Sequence, residues 1–116
     1  MDPLKNHLSG GAAEEQVARW YADAGHEVLA RRWRGRSGEI DLVCRVGSAI
    51  VFVEVKRAAT HARAAERIGP RQIARILSAA SEYLEGMPDG QRTETRFDAA
   101  LVDGAGQIEI REAAFP

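Results

Sequence analysis

The sequence has a single cysteine, Cys44, and contains no apolar run near the roughly 20 residues that a membrane-spanning helix needs. One cysteine excludes an internal disulfide and a zinc cluster built on several thiolates. The first eleven residues also lack the apolar centre of a secretory signal. From these absences we expect a cytoplasmic protein that has no membrane partner.

Several familiar site signatures are missing as well. The chain carries no P-loop, no dinucleotide-binding glycine pattern and no serine-nucleophile motif, and its three histidines lack metal-ligand spacing. The net charge of −1 gives no general sign of a nucleic-acid partner. The charge is unevenly distributed, however, because eleven of the sixteen Lys and Arg residues lie between Arg31 and Arg75, against four acids. This basic middle fits either phosphate binding or an ordinary solvated surface.

The hydrophobic pattern predicts one α/β domain. Hydrophobic residues make up 45% of the chain, which suits a globular fold. We expect residues 1–11 to be a flexible segment and residues 12–116 to form a single domain. Helical spacing is found over residues 12–24 and again from Pro70, and residues 60–69 form a connection that is either partly helical or mobile. Strands are predicted over residues 26–32, 39–46, 49–57, 96–102 and 107–111. The order α-β-β-β-α-β-β implies a mixed sheet flanked by helices.

The two central strands allow a more specific prediction. Gly47 and Ser48 suit a two-residue hairpin turn, so that the numbers of paired residues sum to about 95. Asp41 then lies opposite Glu54, and Glu39 lies opposite Lys56. Because opposite residues share a face of the sheet, as do residues two apart on one strand, all four side chains should meet in one patch.

Two adjacent carboxylates repel each other unless a cation, a shared proton or a basic group offsets the cost. Mg²⁺ favours oxygen ligands and commonly binds one or two carboxylates together with substrate phosphate. The patch therefore fits a divalent-metal site formed by Asp41 and Glu54, and it equally fits a surface salt bridge between Glu39 and Lys56. Glu14 lies at the border of the first helix's apolar stripe and can overlook the sheet, or it is a favourable acid in the first turn.

The segments from Gly38 to Val43 and from Val51 to Lys56 resemble the signature of the YraN-type family. Members of this family are small bacterial proteins regarded as PD-(D/E)XK nucleases and similar to Holliday junction resolvases. The opening helix with Glu14, the second helix around Arg75 and the closing Arg96-Phe97-Asp98 resemble the family too. The resemblance implies a restriction-endonuclease-like core.

The resemblance also implies roles for individual residues. Asp41 and Glu54 would bind Mg²⁺ or Mn²⁺ with the carbonyl of Val55, and Glu14 would reach the metal through water. Lys56 would orient or activate the attacking water. The activity would be metal-dependent hydrolysis of phosphodiester bonds in DNA, including branched or processed structures. A nuclease that resolves symmetric junctions would act as a homodimer.

Two positions depart from the family pattern in ways that affect phosphate contacts. Ala58 replaces a common arginine, and Gln72 replaces a lysine near the start of the second helix. These changes concern substrate affinity more than chemistry. The nucleic-acid contacts that we expect are arginines of the basic middle: Arg34, Arg36, Arg57, Arg71 and Arg75.

Two other functions remain open from the sequence. A non-catalytic nucleic-acid-binding module on a nuclease scaffold would bind in a salt-sensitive manner that is indifferent to metal. A protein-interaction domain would use exposed edge strands near the C-terminus to pair with another chain.

Overall fold

A five-stranded mixed sheet with helices on both faces forms the core of the protein, as the sequence predicts. The computed structural model describes residues 11–115. The expected flexible segment therefore lies outside the described residues, apart from Gly11, which is the first residue of helix α1 (Gly11–Asp23). The apolar stripe of α1 buries Ala13, Val17 and Tyr21 at helical spacing against the sheet.

The strands lie in the sheet in the same order as in the sequence. They are β1 (Glu27–Arg34), β2 (Glu39–Val46), β3 (Ala49–Arg57), β4 (Thr95–Val102) and β5 (Ile108–Arg111). All neighbours pair antiparallel except β3 and β4, which are parallel. A parallel pair needs a long crossover, and the segment between β3 and β4 provides it. The resulting mixed sheet is compatible with a restriction-endonuclease-like fold.

The crossover contains two helices and a short turn. Helix α2 (His61–Glu66) lies in the connection that we expected to be partly helical, and Thr60 caps it by accepting a hydrogen bond from the Arg63 amide. Helix α3 (Pro70–Leu84) begins with proline at its first position, where no amide hydrogen is needed. A 3₁₀ turn (Gly90–Arg92) precedes β4. Over residues 11–115, no helix has both the length and the apolarity that a bilayer crossing requires.

The core has two layers, one on each face of the sheet. On one face α1 packs against alternate residues of β2, β3 and β4, among them Leu42, Cys44 and Val53. On the other face α3 packs against Val43 and Phe52. This alternation of side chains is what two-sided burial of a sheet requires. It places the Cys44 thiol in the core, on the face away from α3.

The predicted hairpin register is confirmed. Pairing between β2 and β3 runs from Val46↔Ala49 to Leu42↔Val53 and ends there. At this point the side chains of β2 change face. Ile40 packs on the α3 side of the sheet, although Leu42, two residues later in the sequence, packs on the α1 side. A neighbouring β1 residue, Arg32, has a φ of +50°, which is unusual for a residue other than glycine. The two central strands therefore separate at the position of Asp41.

Candidate functional site

The predicted pair of acids forms a contact between β2 and β3. The Asp41 side chain reaches across the gap between the strands, where its Oδ2 accepts a hydrogen bond of 2.8 Å from the Val55 amide. This bond takes the place of main-chain pairing between β2 and β3, whose last pair is Leu42 and Val53. The carboxyl group of Asp41 also lies within hydrogen-bonding contact of Glu54. Glu54 is 4% exposed, so one acid of the pair is almost fully removed from water.

Burial and Glu54 together change the ionisation of Asp41. Burial has the largest effect, and the hydrogen bond and repulsion from Glu54 add to it, so that the pKa of Asp41 rises from 3.8 to about 8. The Val55 amide and the Lys56 ammonium act in the opposite direction but do not cancel the increase. Near neutral pH the carboxyl group of Asp41 is therefore mostly protonated.

Two further side chains contact Glu54. The Lys56 ammonium lies 3.7 Å from Oε1 of Glu54, and the Gln72 amide of α3 donates a hydrogen bond of 3.1 Å to Oε2. The register had placed Lys56 opposite Glu39, but Glu39 pairs with Arg34 of β1 at 3.2 Å. The expected salt bridge between Glu39 and Lys56 is thus replaced by two others, Glu39 with Arg34 and Lys56 with Glu54. The reason is that β2 and β3 are no longer paired at the position of Glu39.

A comparison with Asp98 shows what a structural buried acid looks like in this fold. Asp98 is fully buried on β4 and accepts four hydrogen bonds: two from the Arg96 guanidinium at 2.8 Å, one from the Tyr21 hydroxyl at 2.7 Å and one from the Ala113 amide at 3.1 Å. Its charge is fully compensated. By contrast, the two carboxyl groups of Asp41 and Glu54 have three compensating groups between them. These are the Val55 main-chain amide, the Gln72 side-chain amide and the Lys56 ammonium.

The donor set of the acidic pair suits a hard divalent cation. Mg²⁺ and Mn²⁺ favour carboxylate and carbonyl oxygens, and Asp41, which is kept protonated beside a second carboxyl group, can exchange its proton for a cation. Val55 lies between Glu54 and Lys56 on β3, so its main chain belongs to the same site. A metal contact from its carbonyl stays a prediction.

Glu14 does not join this pair. Its carboxylate accepts a hydrogen bond of 2.7 Å from Nε of Arg32, the β1 residue with positive φ, and this contact raises the pKa of Arg32. Across residues 11–115, no three acids, histidines or cysteines converge as a group that could hold a metal ion. The expected role of Glu14 through a water molecule therefore stays a prediction.

The five predicted nucleic-acid contacts divide into two sets. Arg34 pairs with Glu39, and Arg36 lies 3.7 Å from Glu82 of α3, so both arginines are close to a carboxylate. In contrast, Arg71 and Arg75 line an open depression of about 530 Å³ at the start of α3, which also includes Arg67, Gly69, Pro70 and Gln72. The carbonyl of Arg57 accepts a hydrogen bond of 3.0 Å from Arg67, so the end of β3 supports one side of this depression.

Sequence reasoning missed the positions of Gln72 and Arg67. Gln72 was recognised only as a departure from a family pattern, yet its amide contacts Glu54 and its side chain lines the depression. Arg67 lay in a connection of unsettled structure. A helical wheel places Gln72 beside Arg75 and Ile76 on α3, but no local signal shows which sheet residue it meets.

The chain is similar to one protein family over most of its length. Residues 13–102 match the model of the family described as "Uncharacterised protein family UPF0102". A UPF0102 protein of Ruegeria pomeroyi is 56% identical over 111 residues, which cover 96% of this chain and 90% of the relative. A UPF0102 protein of Cereibacter sphaeroides is 56% identical over 110 residues, covering 95% and 94%. A UPF0102 protein of Dinoroseobacter shibae is 48% identical over 103 residues, covering 89% and 77%.

Proposed function

The chain belongs to the UPF0102 family, and from this premise we propose that it is a metal-dependent nuclease that hydrolyses phosphodiester bonds in DNA. The observation that supports the proposal is the Asp41–Glu54 pair, an undercompensated acidic site between two central strands, with Lys56 beside it. Holding two carboxyl groups together away from water is costly, and clefts where this cost is tolerated are frequently catalytic. Branched or processed DNA structures are included among the proposed substrates.

The residues of the site divide the work of hydrolysis. Asp41 and Glu54, with the carbonyl of Val55, would hold Mg²⁺ or Mn²⁺. When bound, such an ion polarises the phosphodiester and makes a coordinated water more acidic. Lys56 orients the attacking water and stabilises the negative charge that develops on the phosphate. Gln72 fixes Oε2 of Glu54, which leaves Oε1 facing Lys56.

Cleavage assays with matched variants test the proposal. Purified protein is incubated with Mg²⁺ or Mn²⁺ and end-labelled branched, single-stranded or duplex DNA, and chelator provides the metal-free control. We expect metal-dependent products from the wild type and none from Asp41→Asn or Lys56→Met. The matched control is Asp89→Asn, since Asp89 is an exposed acid beyond the far end of α3. Products that persist in Asp41→Asn would show that the acidic pair is not the catalytic site.

The binding-module alternative makes the opposite forecast for the same proteins. It expects no cleavage of any substrate and DNA binding that is equal with metal and with chelator. Under the nuclease proposal, Mg²⁺ changes binding in the wild type and has a smaller effect in Asp41→Asn. A homodimer stays a prediction that sedimentation of the wild type tests directly.

A further inference from the structure

Three arginines form the walls of the depression beside the acidic pair. Arg67 follows α2, and Arg71 and Arg75 lie on α3. We refer to the lining residues Arg67, Arg71 and Arg75 as the arginine depression. All three are found on the α3 side of the sheet, which is the side from which Gln72 contacts Glu54.

The positive charges of this depression have no acidic partner in the described part of the chain. Within residues 11–115, no carboxylate lies within ion-pairing distance of its three guanidinium groups. The arginines of β1 and of the loop that follows it are different, because Glu15, Glu14, Glu39 and Glu82 pair with Arg31, Arg32, Arg34 and Arg36 respectively. Available positive charge is therefore concentrated on one side of the acidic site.

Local packing holds these side chains in related positions. Arg71 and Arg75 are four residues apart on α3, so they share a helix face and lie about 6 Å apart along the axis. The Arg75 chain runs past Gly38, where a β-carbon would lie 3.6 Å from its Cγ and Cδ. Arg67 is held by its hydrogen bond to the Arg57 carbonyl. The spacing of Arg71 and Arg75 is comparable with that of neighbouring phosphates along one strand.

Gln72 connects the depression to the acidic pair. Its side chain lines the depression, and its amide donates to Glu54 at 3.1 Å. Only the Gln72 side chain would thus separate a phosphate held by Arg71 or Arg75 from the carboxyl groups of Asp41 and Glu54, on the same face of the sheet. A chain of phosphates in the depression would lead directly to the proposed site of cutting.

We propose that the arginine depression binds the backbone of one nucleic-acid strand and that the substrate is unpaired next to the bond to be cut. This inference rests on the proposed nuclease function and specifies its substrate. A duplex presents two backbones, which favours cations on both sides of the site. Within residues 11–115, the arginines of β1 and of the loop after it are paired with carboxylates, whereas those of the arginine depression on the α3 side are not, so the surface beside the site is matched to a single strand.

Equilibrium binding in chelator tests the inference independently of cleavage. Fluorescence anisotropy is measured with a labelled oligothymidylate of about 15 nucleotides and with a blunt duplex of equal length. Measurements at about 50 and about 200 mM salt give the number of phosphate contacts. The wild type is compared with Arg71→Gln/Arg75→Gln. The control is Arg19→Gln/Arg92→Gln, which removes the same charge from exposed positions on α1 and in the 3₁₀ turn.

We expect the wild type to bind the single strand more tightly than the duplex. The Arg71→Gln/Arg75→Gln variant should bind the strand about tenfold more weakly, with a salt slope lower by about 1.4, because each contact to a single strand contributes about 0.7. The control should bind like the wild type. Arg71→Lys/Arg75→Lys should retain most of the affinity, since phosphates are recognised mainly through charge.

Two results would overturn the inference: equal wild-type affinity for strand and duplex, or equal strand affinity in the depression variant and the control. Failure of the proposed function gives a different pattern. A protein that binds strands through Arg71 and Arg75 but cuts no substrate refutes the nuclease while the binding inference stands. A protein that cuts DNA with unchanged binding in the double variant refutes the inference alone.

Discussion

Replacing Asp41 with asparagine should make the protein more stable, and the gain should grow with pH. The fold raises the pKa of Asp41 from 3.8 to about 8 through burial and its contact with Glu54. Between these two values the unfolded chain releases a proton that the folded protein retains, so the stability of the wild type falls as pH rises. Asparagine does not titrate, and it keeps an oxygen that can accept the hydrogen bond from the Val55 amide.

The magnitude follows from the pKa shift. An increase of about 4 units, at about 1.4 kcal/mol per unit, sets a ceiling of about 6 kcal/mol above pH 8. Water entry and small side-chain rotations relieve part of the cost once Asp41 ionises. We therefore expect Asp41→Asn to gain about 2 kcal/mol over the wild type at about pH 9 and close to nothing at about pH 4.

Urea denaturation at several pH values measures this difference, with Asp89→Asn as the matched control. Contributions from titrating groups that do not contact Asp41 are common to both proteins and cancel. Saturating Mg²⁺ or Mn²⁺ should stabilise the wild type above pH 8, because the cation takes the place of the proton on Asp41, and should stabilise Asp41→Asn much less. A stability difference that stays constant between about pH 4 and about pH 9 would refute the reasoning about the acidic pair.

Four further outcomes are expected. Lys56→Met should lower the cleavage rate at least about 100-fold while metal binding, measured by calorimetry, is retained. Gln72→Ala should weaken metal affinity about tenfold, because it removes the hydrogen bond that orients the buried glutamate, and unchanged affinity in the same titration would contradict this role. Asp98→Asn should cost about 3 kcal/mol of unfolding free energy, since it leaves a guanidinium without its buried partner. Tyr21→Phe should cost about 1–2 kcal/mol through loss of a buried hydrogen bond, whereas Tyr83→Phe should stay within about 0.5 kcal/mol in the same denaturation assay.

The Asp98 and Asp41 variants are expected to act in opposite directions, although both remove a buried or half-buried carboxylate. Asp98 is surrounded by donors, so its charge stabilises the fold. Asp41 faces another acid, so its charge opposes folding. Such opposite signs are what one expects of a structural residue and of a functional residue that is kept at a cost in stability.

Local sequence patterns determined the elements and the central hairpin of this protein. The apolar strand-like segments identified β2 and β3 with their observed limits, and the Gly47-Ser48 turn fixed their register as far as Leu42. Both signals act between residues that are close in sequence, so they can be derived without knowing the rest of the fold. The contact between Asp41 and Glu54 was predicted by extending that register one pair beyond the point where the ladder ends.

Tertiary structure alone decided which side chains surround the acidic pair. Because β2 separates from β3, Glu39 pairs with Arg34. The docking of α3 on the sheet brings Gln72 into contact with Glu54, which is 18 residues away in sequence. Among the residues that the structure describes, it also left the guanidinium groups of Arg71 and Arg75 without a carboxylate partner. These contacts depend on how a helix packs on a sheet and where a strand leaves its neighbour. Such features arise from the packing of the whole core and have no counterpart in the periodicity of a single segment.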